Sequence, residues 1–115
     1  MSDFSVDARS DGDWVVVTAA GDIDVYTAPR LKRALTEEID RGHHHIVLDM
    51  TKVRFMDSTG LAVMVGGLKK VKAKKGTLEL VGPNDQIRRI LTITDLVKIL
   101  PVHDSVEDAC RGKTT

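Results

Sequence analysis

Strand-like and helix-like apolar patterns alternate along the whole chain, and this alternation limits its fold more than any other feature. Two strand-like segments come first, at 4–8 and 14–20, and the Asp11-Gly12-Asp13 turn between them predicts an antiparallel hairpin. Three helix–strand pairs and a last helix follow. The order β-β-α-β-α-β-α-β-α predicts an α/β fold whose mixed β-sheet starts with an antiparallel N-terminal hairpin and has flanking helices.

The boundaries of the later elements follow from caps and breaks in periodicity. Thr27 is expected to cap a first helix that Gly42 ends, and Asn84 to cap a third helix. Asp104 or Ser105 should cap the last helix, with the chain fraying from Arg111. The other expected elements are an acidic loop at 21–24, a buried strand at 45–50, a loop at 51–57, a helix at 58–71, a strand at 77–81 and an edge strand at 97–102.

The length and composition indicate one globular domain over residues 1–115, with its core at about 4–108. Hydrophobic residues make up 42% of the chain, yet no apolar run is long enough to cross a bilayer, so no membrane association is expected. The N-terminus lacks the basic-then-apolar order of a signal peptide. Cys110 is the only cysteine, which fits a reducing compartment. Together these features predict a cytoplasmic protein.

The charge balance argues against direct binding of nucleic acid. Seventeen basic and seventeen acidic residues cancel to a net charge of zero, whereas nucleic-acid binders usually carry a basic surplus. One basic cluster is interpreted as the solvated C-terminal end of a helix rather than as an anion-binding patch. It consists of Lys69, Lys70, Lys72, Lys74 and Lys75.

The segment Asp57-Ser58-Thr59-Gly60 is the most informative in the chain, because it lies between a buried strand and a helix. Asp57 or Ser58 can simply cap the helix, a contribution of about 1 kcal/mol. Gly60 weakens this interpretation, since glycine near a helix start costs up to about 1 kcal/mol relative to alanine. A residue without a side chain there lets another group approach the backbone closely.

Catalysis by Ser58 is the main alternative from another functional class. The strand-to-helix turn is similar to a nucleophile elbow, but the G-x-S-x-G pattern is absent. His43, His44, His45 and His103 are candidate bases, and nothing in their spacing pairs one of them with Ser58. The sequence also contains neither a zinc-ligand pattern nor a phosphate-binding loop, so no metal, cofactor or enzymatic activity is expected.

Four segments taken together resemble the STAS domains, and more narrowly the bacterial anti-sigma factor antagonists. The resemblance covers about 4–108. The segments that carry it are Gly21-Asp22-Ile23-Asp24, Thr27-Ala28-Pro29, Ile46-Val47-Leu48-Asp49 and Asp57-Ser58-Thr59-Gly60.

The resemblance implies a non-catalytic switch with defined partners. The unphosphorylated protein would bind an anti-sigma factor that is also a serine kinase, and so release a sigma factor. That kinase would phosphorylate Ser58, with Thr59 a possible second site, and a serine phosphatase would reverse the step. The same match implies partner contacts by Asp22, Asp24, Asp57, Ser58, Thr59 and Gly60. A STAS subunit of a stress-signalling or lipid-transport assembly is the alternative within the family.

Physical reasoning from the residues supports such a switch. A phosphate on Ser58 would lie at a helix N-terminus, where the dipole and free N–H groups favour anions, so the helix should stay intact. The new charge would instead lie beside Asp57, with Asp22 and Asp24 expected close by. Phosphorylation should therefore act by repulsion at an interface rather than by refolding.

Overall fold

One five-stranded sheet and four α-helices make up the computed structural model, which describes residues 4–112. The strands are β1 Ser5–Asp11, β2 Trp14–Ile23, β3 His45–Met56, β4 Thr77–Val81 and β5 Val102–His103. The helices are α1 Ala28–Asp40, α2 Ser58–Ala73, α3 Asp85–Ile93 and α4 Val106–Gly112, with a short 3-10 helix at Leu96–Lys98. The strands lie side by side in sequence order, and only β1 and β2 run antiparallel. The predicted α/β class, the N-terminal hairpin and the order of elements are confirmed.

The helices cover the two faces of the sheet unequally. On one face α1, α2 and α3 bury most of the core, with Leu35, Met64 and Ile87 packed against alternate residues of the strands. On the other face α4 covers a small cluster around Trp14 and Val47. The central strand β3 is therefore apolar on both faces, as its sequence predicts.

The predicted loop at 51–57 is wrong, because β3 continues to Met56. Register shifts between β2 and β3 place extra residues in β3, as in a β-bulge. Met50, Val53 and Met56 are consequently the buried residues of this half of the strand. These buried residues are three positions apart, whereas the buried residues of a regular strand are two apart. The sequence therefore lacks the alternating pattern that would have predicted a strand here.

The acidic loop predicted at 21–24 is also mostly strand. Gly21, Asp22 and Ile23 belong to β2 and pair with the far end of β3. Gly21 has a φ of +100°, which glycine adopts without strain, and it lies next to one of the register shifts. Only Asp24 begins the loop that leads to α1.

The C-terminal part differs from the prediction in two places. The segment 97–102 was expected to be a strand, but Leu96–Lys98 is a 3-10 helix and β5 contains only Val102–His103. Val97 and Ile99 are exposed, so this turn buries too little apolar surface for a strand. Arg111 was expected to fray, and it lies within α4. The rest of the predicted tail, 113–115, falls outside the described residues.

The predicted caps of the later helices are confirmed. The Asn84 side chain accepts a hydrogen bond from the Ile87 N–H at 3.0 Å, and the Ser105 hydroxyl accepts one from the Asp108 N–H at 3.0 Å. No helix within 4–112 is long and apolar enough to span a membrane.

Candidate functional site

The candidate site lies where β2 and β3 end side by side. Ile23 pairs with Met56 at the last position of each strand, and the Asp57 N–H donates to the Ile23 carbonyl at 3.2 Å. Because the two strands are parallel, the segments that follow them leave the sheet at the same edge. The loop from Asp24 to α1 therefore lies beside the start of α2, which begins at Ser58.

Asp57 caps α2 through its side chain. Its carboxylate accepts the Thr59 N–H at 2.9 Å and also the Thr59 hydroxyl. The pKa of Asp57 is lowered from its ordinary value of 3.8, chiefly by the hydroxyl of Thr59, while partial burial opposes the shift and backbone N–H groups at the helix start add to it. Asp57 is thus a fixed negative charge at the N-terminus of α2.

Ser58 is the first residue of α2 and is exposed to solvent. Within residues 4–112 no group hydrogen-bonds to its hydroxyl, since Asp57 provides the cap. The sequence left open which of the two residues caps the helix, and the structure assigns that role to Asp57. The Ser58 side chain is therefore available to another molecule.

Thr59 is placed differently from its neighbour. It is half-buried, and its hydroxyl is bound to the Asp57 carboxylate. A reaction at this hydroxyl would have to break the cap, whereas a reaction at Ser58 would not. The two hydroxyl groups of the motif are thus unequal in accessibility.

Gly60 is buried, and the atoms that lie close to its backbone belong to the protein core rather than to the surface. A Cβ at this position would lie 2.4 Å from the Met56 Cγ and 2.8 Å from the Ile23 Cγ2. The sequence correctly predicts that another group lies against this backbone. The expectation that Gly60 offers its bare backbone to a partner is wrong, because the ends of β2 and β3 occupy that space.

Asp24 organises the loop between β2 and α1. Its Oδ1 accepts the Tyr26 N–H at 2.9 Å and the Thr27 N–H at 3.1 Å. Thr27 was expected to cap α1 with its side chain, but it makes no such bond. Its hydroxyl instead donates to the Asp22 carbonyl at 2.7 Å and accepts the Asp24 N–H at 2.9 Å. These bonds fix the loop beside Ser58.

Asp22 presents its carboxylate on the surface near the end of β2. It pairs with Phe55 across the sheet, and its Oδ1 lies 3.6 Å from the Arg54 Nε. Both side chains are half-exposed, so this ion pair contributes little to stability. Asp22 and Arg54 thus place exposed charged groups near the ends of β2 and β3, the end of the sheet from which the chain continues to Ser58.

Two residues at the α3 start hold the site through contacts that sequence reasoning missed. The Gln86 side chain accepts the Met56 N–H at 3.2 Å and donates to the Met56 carbonyl at 2.9 Å. The Asn84 amide donates to the Arg54 carbonyl at 2.9 Å. Asn84 was recognised as a cap only, and no local pattern marks Gln86, because its partner lies 30 residues away. Both residues hold the end of β3 in place before Ser58.

Three exposed apolar residues on the two segments that flank the site were also missed. Tyr26 is 84% exposed, Val25 61% and Phe55 44%, the first two in the Asp24 loop and the third at the end of β3. The signal was present in the sequence as apolar residues next to the acidic segments. It was missed because Phe55 was assigned to a loop at 51–57, while residues 25 and 26 were assigned to no element.

Within residues 4–112 the histidines lie away from Ser58. The histidines at 43–45 lie at the start of β3, while Ser58 follows its end. His103 is engaged with Glu79, with 2.6 Å between Nε2 and Oε1. In the part of the chain that the structure describes, no cluster of side chains is suited to hold a metal ion.

The comparisons with known proteins agree with this geometry. The model of the STAS domain matches residues 5–109. The chain belongs to the STAS domain family. The anti-sigma-B factor antagonist of Listeria monocytogenes is 42% identical to this STAS domain over 104 residues, which are 89% of either chain.

Solved structures agree as well. An anti-sigma factor antagonist from Mycobacterium paratuberculosis is 26% identical, with a TM-score of 0.87 over 95% of this STAS domain and 92% of that chain. The Bacillus cell fate determinant SpoIIAA in its phosphorylated form shares the fold, with 20% identity and a TM-score of 0.73 over 94% of this chain and 96% of that one. The predictions of a STAS domain and of a regulatory protein rather than an enzyme are confirmed.

Proposed function

We propose that this STAS domain is an anti-sigma factor antagonist controlled by phosphorylation of Ser58. In the unphosphorylated state it binds an anti-sigma factor with serine kinase activity, and a sigma factor is released. The kinase then modifies Ser58 and the complex dissociates, until a serine phosphatase restores the binding form. The cycle takes place in the cytoplasm and involves no direct contact with nucleic acid or a membrane.

The observation that carries this proposal is the state of the Ser58 hydroxyl. It is exposed, it has no hydrogen-bond partner in residues 4–112, and it lies next to a cap that Asp57 already supplies. A kinase can therefore reach it without opening the helix. Thr59 is a less suitable second site, because its hydroxyl is held by Asp57.

The effect of the phosphate follows from its charge. A phosphoserine carries about −1.5 to −2 charges at neutral pH. At the first position of α2 the helix N-terminus tolerates this charge, so the fold stays intact. The Asp57 carboxylate beside it is ionised at neutral pH, as an aspartate with an ordinary pKa would be, and its own pKa is lowered further. An interface that covers both groups must remove them from water together, which weakens docking.

The docking surface is formed by the apolar residues around the switch. Tyr26, Val25 and Phe55 are large and exposed, and aromatic side chains of this kind contribute much of the energy at protein interfaces. Asp24 holds Tyr26 in a defined loop, so the partner meets a preorganised surface. Asp22 places a charged group at the border of this surface, near the end of β2.

A kinase assay tests the proposal directly. The purified protein is incubated with its cognate anti-sigma factor and ATP, and the modified residue is located by mass spectrometry. We expect one phosphate on Ser58 and none on a Ser58→Ala variant. Ser10→Ala is a matched control, because Ser10 is an exposed serine of β1 far along the sheet from the switch.

Two results would argue against this function. Phosphate on another residue, with Ser58 unmodified, would rule out Ser58 as the switch. A pull-down that retains components of a lipid-transport or stress-signalling assembly, and no anti-sigma factor, would favour the alternative STAS role.

A further inference from the structure

A groove of about 280 Å³ lies between α1 and α2, away from the candidate site. Leu35 and Ile39 of α1 and Val63 of α2 supply apolar walls. The lining spans 32–39 and 62–70, roughly 10 to 12 Å along each helix at 1.5 Å per residue. The volume is close to the lower end of ligand pockets, which span about 300–1,000 Å³. A small molecule fits such a groove better than a protein helix.

Gly66 gives the groove its depth. A Cβ at this position would meet no atom within 4 Å, whereas one at Gly67 would already lie 3.4 Å from the Leu35 Cδ1. Gly67 therefore packs against a neighbouring side chain of α1, whereas Gly66 does not. Glycine inside a helix costs about 1 kcal/mol relative to alanine, and packing gives nothing back here. The small residue leaves space that is open to a ligand.

Two lysines, one from each helix, border the groove. Lys32 belongs to α1 and Lys70 to α2, and both are exposed. The Lys70 Nζ donates to the Thr36 hydroxyl at 3.3 Å, which draws its ammonium group toward the α1 side of the groove. Among the described residues that line the groove none is acidic, so the rim is positive while the walls are apolar.

We propose that this groove binds a small amphipathic carboxylate. The apolar part of the ligand lies against Leu35 and Val63 over Gly66, and its carboxylate lies between Lys32 and Lys70. Charge-assisted hydrogen bonds from the two ammonium groups supply the preference for an anion. The groove begins one helical turn beyond Ser58, roughly 6 Å along α2, and Gly66 lies roughly 12 Å from that residue, so the ligand and the switch would use separate parts of the helix.

Decanoate is the probe. Acetate is the control ligand, because it carries the same carboxylate without the long apolar chain. Backbone amide shifts by NMR report the location of binding, and calorimetry reports affinity. We expect saturable shifts centred on 62–70 and 32–39 with decanoate and none with acetate. Lys32→Gln or Lys70→Gln should each weaken binding about threefold, as expected for one exposed charge. Lys74→Gln, at the C-cap of α2 and outside the groove, is the matched control.

Gly66→Leu is the decisive variant, since its side chain would fill the open space while the helix gains propensity. We expect it to fold, to lose saturable decanoate binding and to bind the anti-sigma factor as tightly as the wild type. Gly66→Ala should fold and retain most of the decanoate affinity.

Three outcomes would overturn the proposal: no saturable shifts in the groove, shifts spread over other apolar surfaces, or unchanged affinity in Gly66→Leu. Loss of anti-sigma factor binding in Gly66→Leu, without decanoate binding in the wild type, would assign the groove to a protein interface. That result would leave phosphorylation at Ser58 unaffected, so the two proposals fail separately.

Discussion

Replacing Gly60 with alanine should destabilise the protein, although alanine is the better helix former. The new methyl carbon would lie 2.4 Å from the Met56 Cγ and 2.8 Å from the Ile23 Cγ2, and both side chains are fully buried. Overpacking a core of this kind costs about 1–3 kcal/mol. The gain in helix propensity returns at most about 1 kcal/mol. The net loss in the free energy of unfolding should be roughly 1–2 kcal/mol, or about 4–8 °C in Tm.

Gly66→Ala is the matched control, because the same substitution in the same helix meets open space. It should raise stability by up to about 1 kcal/mol. Urea denaturation followed by circular dichroism and by the fluorescence of the buried Trp14 measures both variants. If Gly60→Ala were as stable as Gly66→Ala, the contact of Gly60 with Met56 and Ile23 could not explain why glycine is present.

Three further predictions concern the edge that carries Ser58. Asp24→Ala should lower the free energy of unfolding by about 0.5–1.5 kcal/mol in denaturant titrations, because it removes the side-chain acceptor of the Tyr26 and Thr27 N–H groups while the Thr27 N–H keeps the Asp24 carbonyl; unchanged stability would show that the side-chain bonds are dispensable. Tyr26→Ala should weaken anti-sigma factor binding by calorimetry at least tenfold, or about 1.4 kcal/mol, with an unchanged Tm, since Tyr26 is exposed; equal affinity would remove it from the interface. Asp57 has a lowered pKa, so its carboxylate stabilises the fold above the ordinary value of 3.8 and this contribution is lost as the pH falls below it. The stability advantage of the wild type over Asp57→Asn should therefore shrink between about pH 5 and pH 2 in denaturation curves, and a constant difference would contradict the assignment.

The sequence predicted the regular parts of the fold well, because their apolar patterns follow standard periods. The helix carrying Leu31 and Leu35, and the strand Thr77–Val81, were placed almost to the residue. The far half of β3 was missed for a physical reason, since its bulged pairing with β2 spaces Met50, Val53 and Met56 by three. The periodicity of a single strand cannot reveal a bulge that depends on its neighbour.

The candidate site shows the same division. The position of Ser58 at a helix start was read from local sequence, and the structure confirms that position. The role of Gly60 could not be inferred, because the atoms that surround it come from the ends of two strands. Gln86 was missed for a similar reason, as its hydrogen bonds to Met56 are long-range. Local patterns thus located the switch, whereas its support depends on tertiary contacts.

The affinity of the cognate anti-sigma factor for the unmodified and the Ser58-phosphorylated protein tests the central claim most directly. Calorimetry should show a loss of about a hundredfold on phosphorylation, or roughly 3 kcal/mol, because each nearby like charge costs about 1–4 kcal/mol between water and a surface-like dielectric. Ser58→Asp should give a smaller loss, Ser58→Ala should bind like the unmodified protein, and Ser10→Asp should control for added charge elsewhere. Circular dichroism should be unchanged throughout. Equal affinity of the phosphorylated and unmodified proteins, with phosphate confirmed on Ser58, would contradict the account.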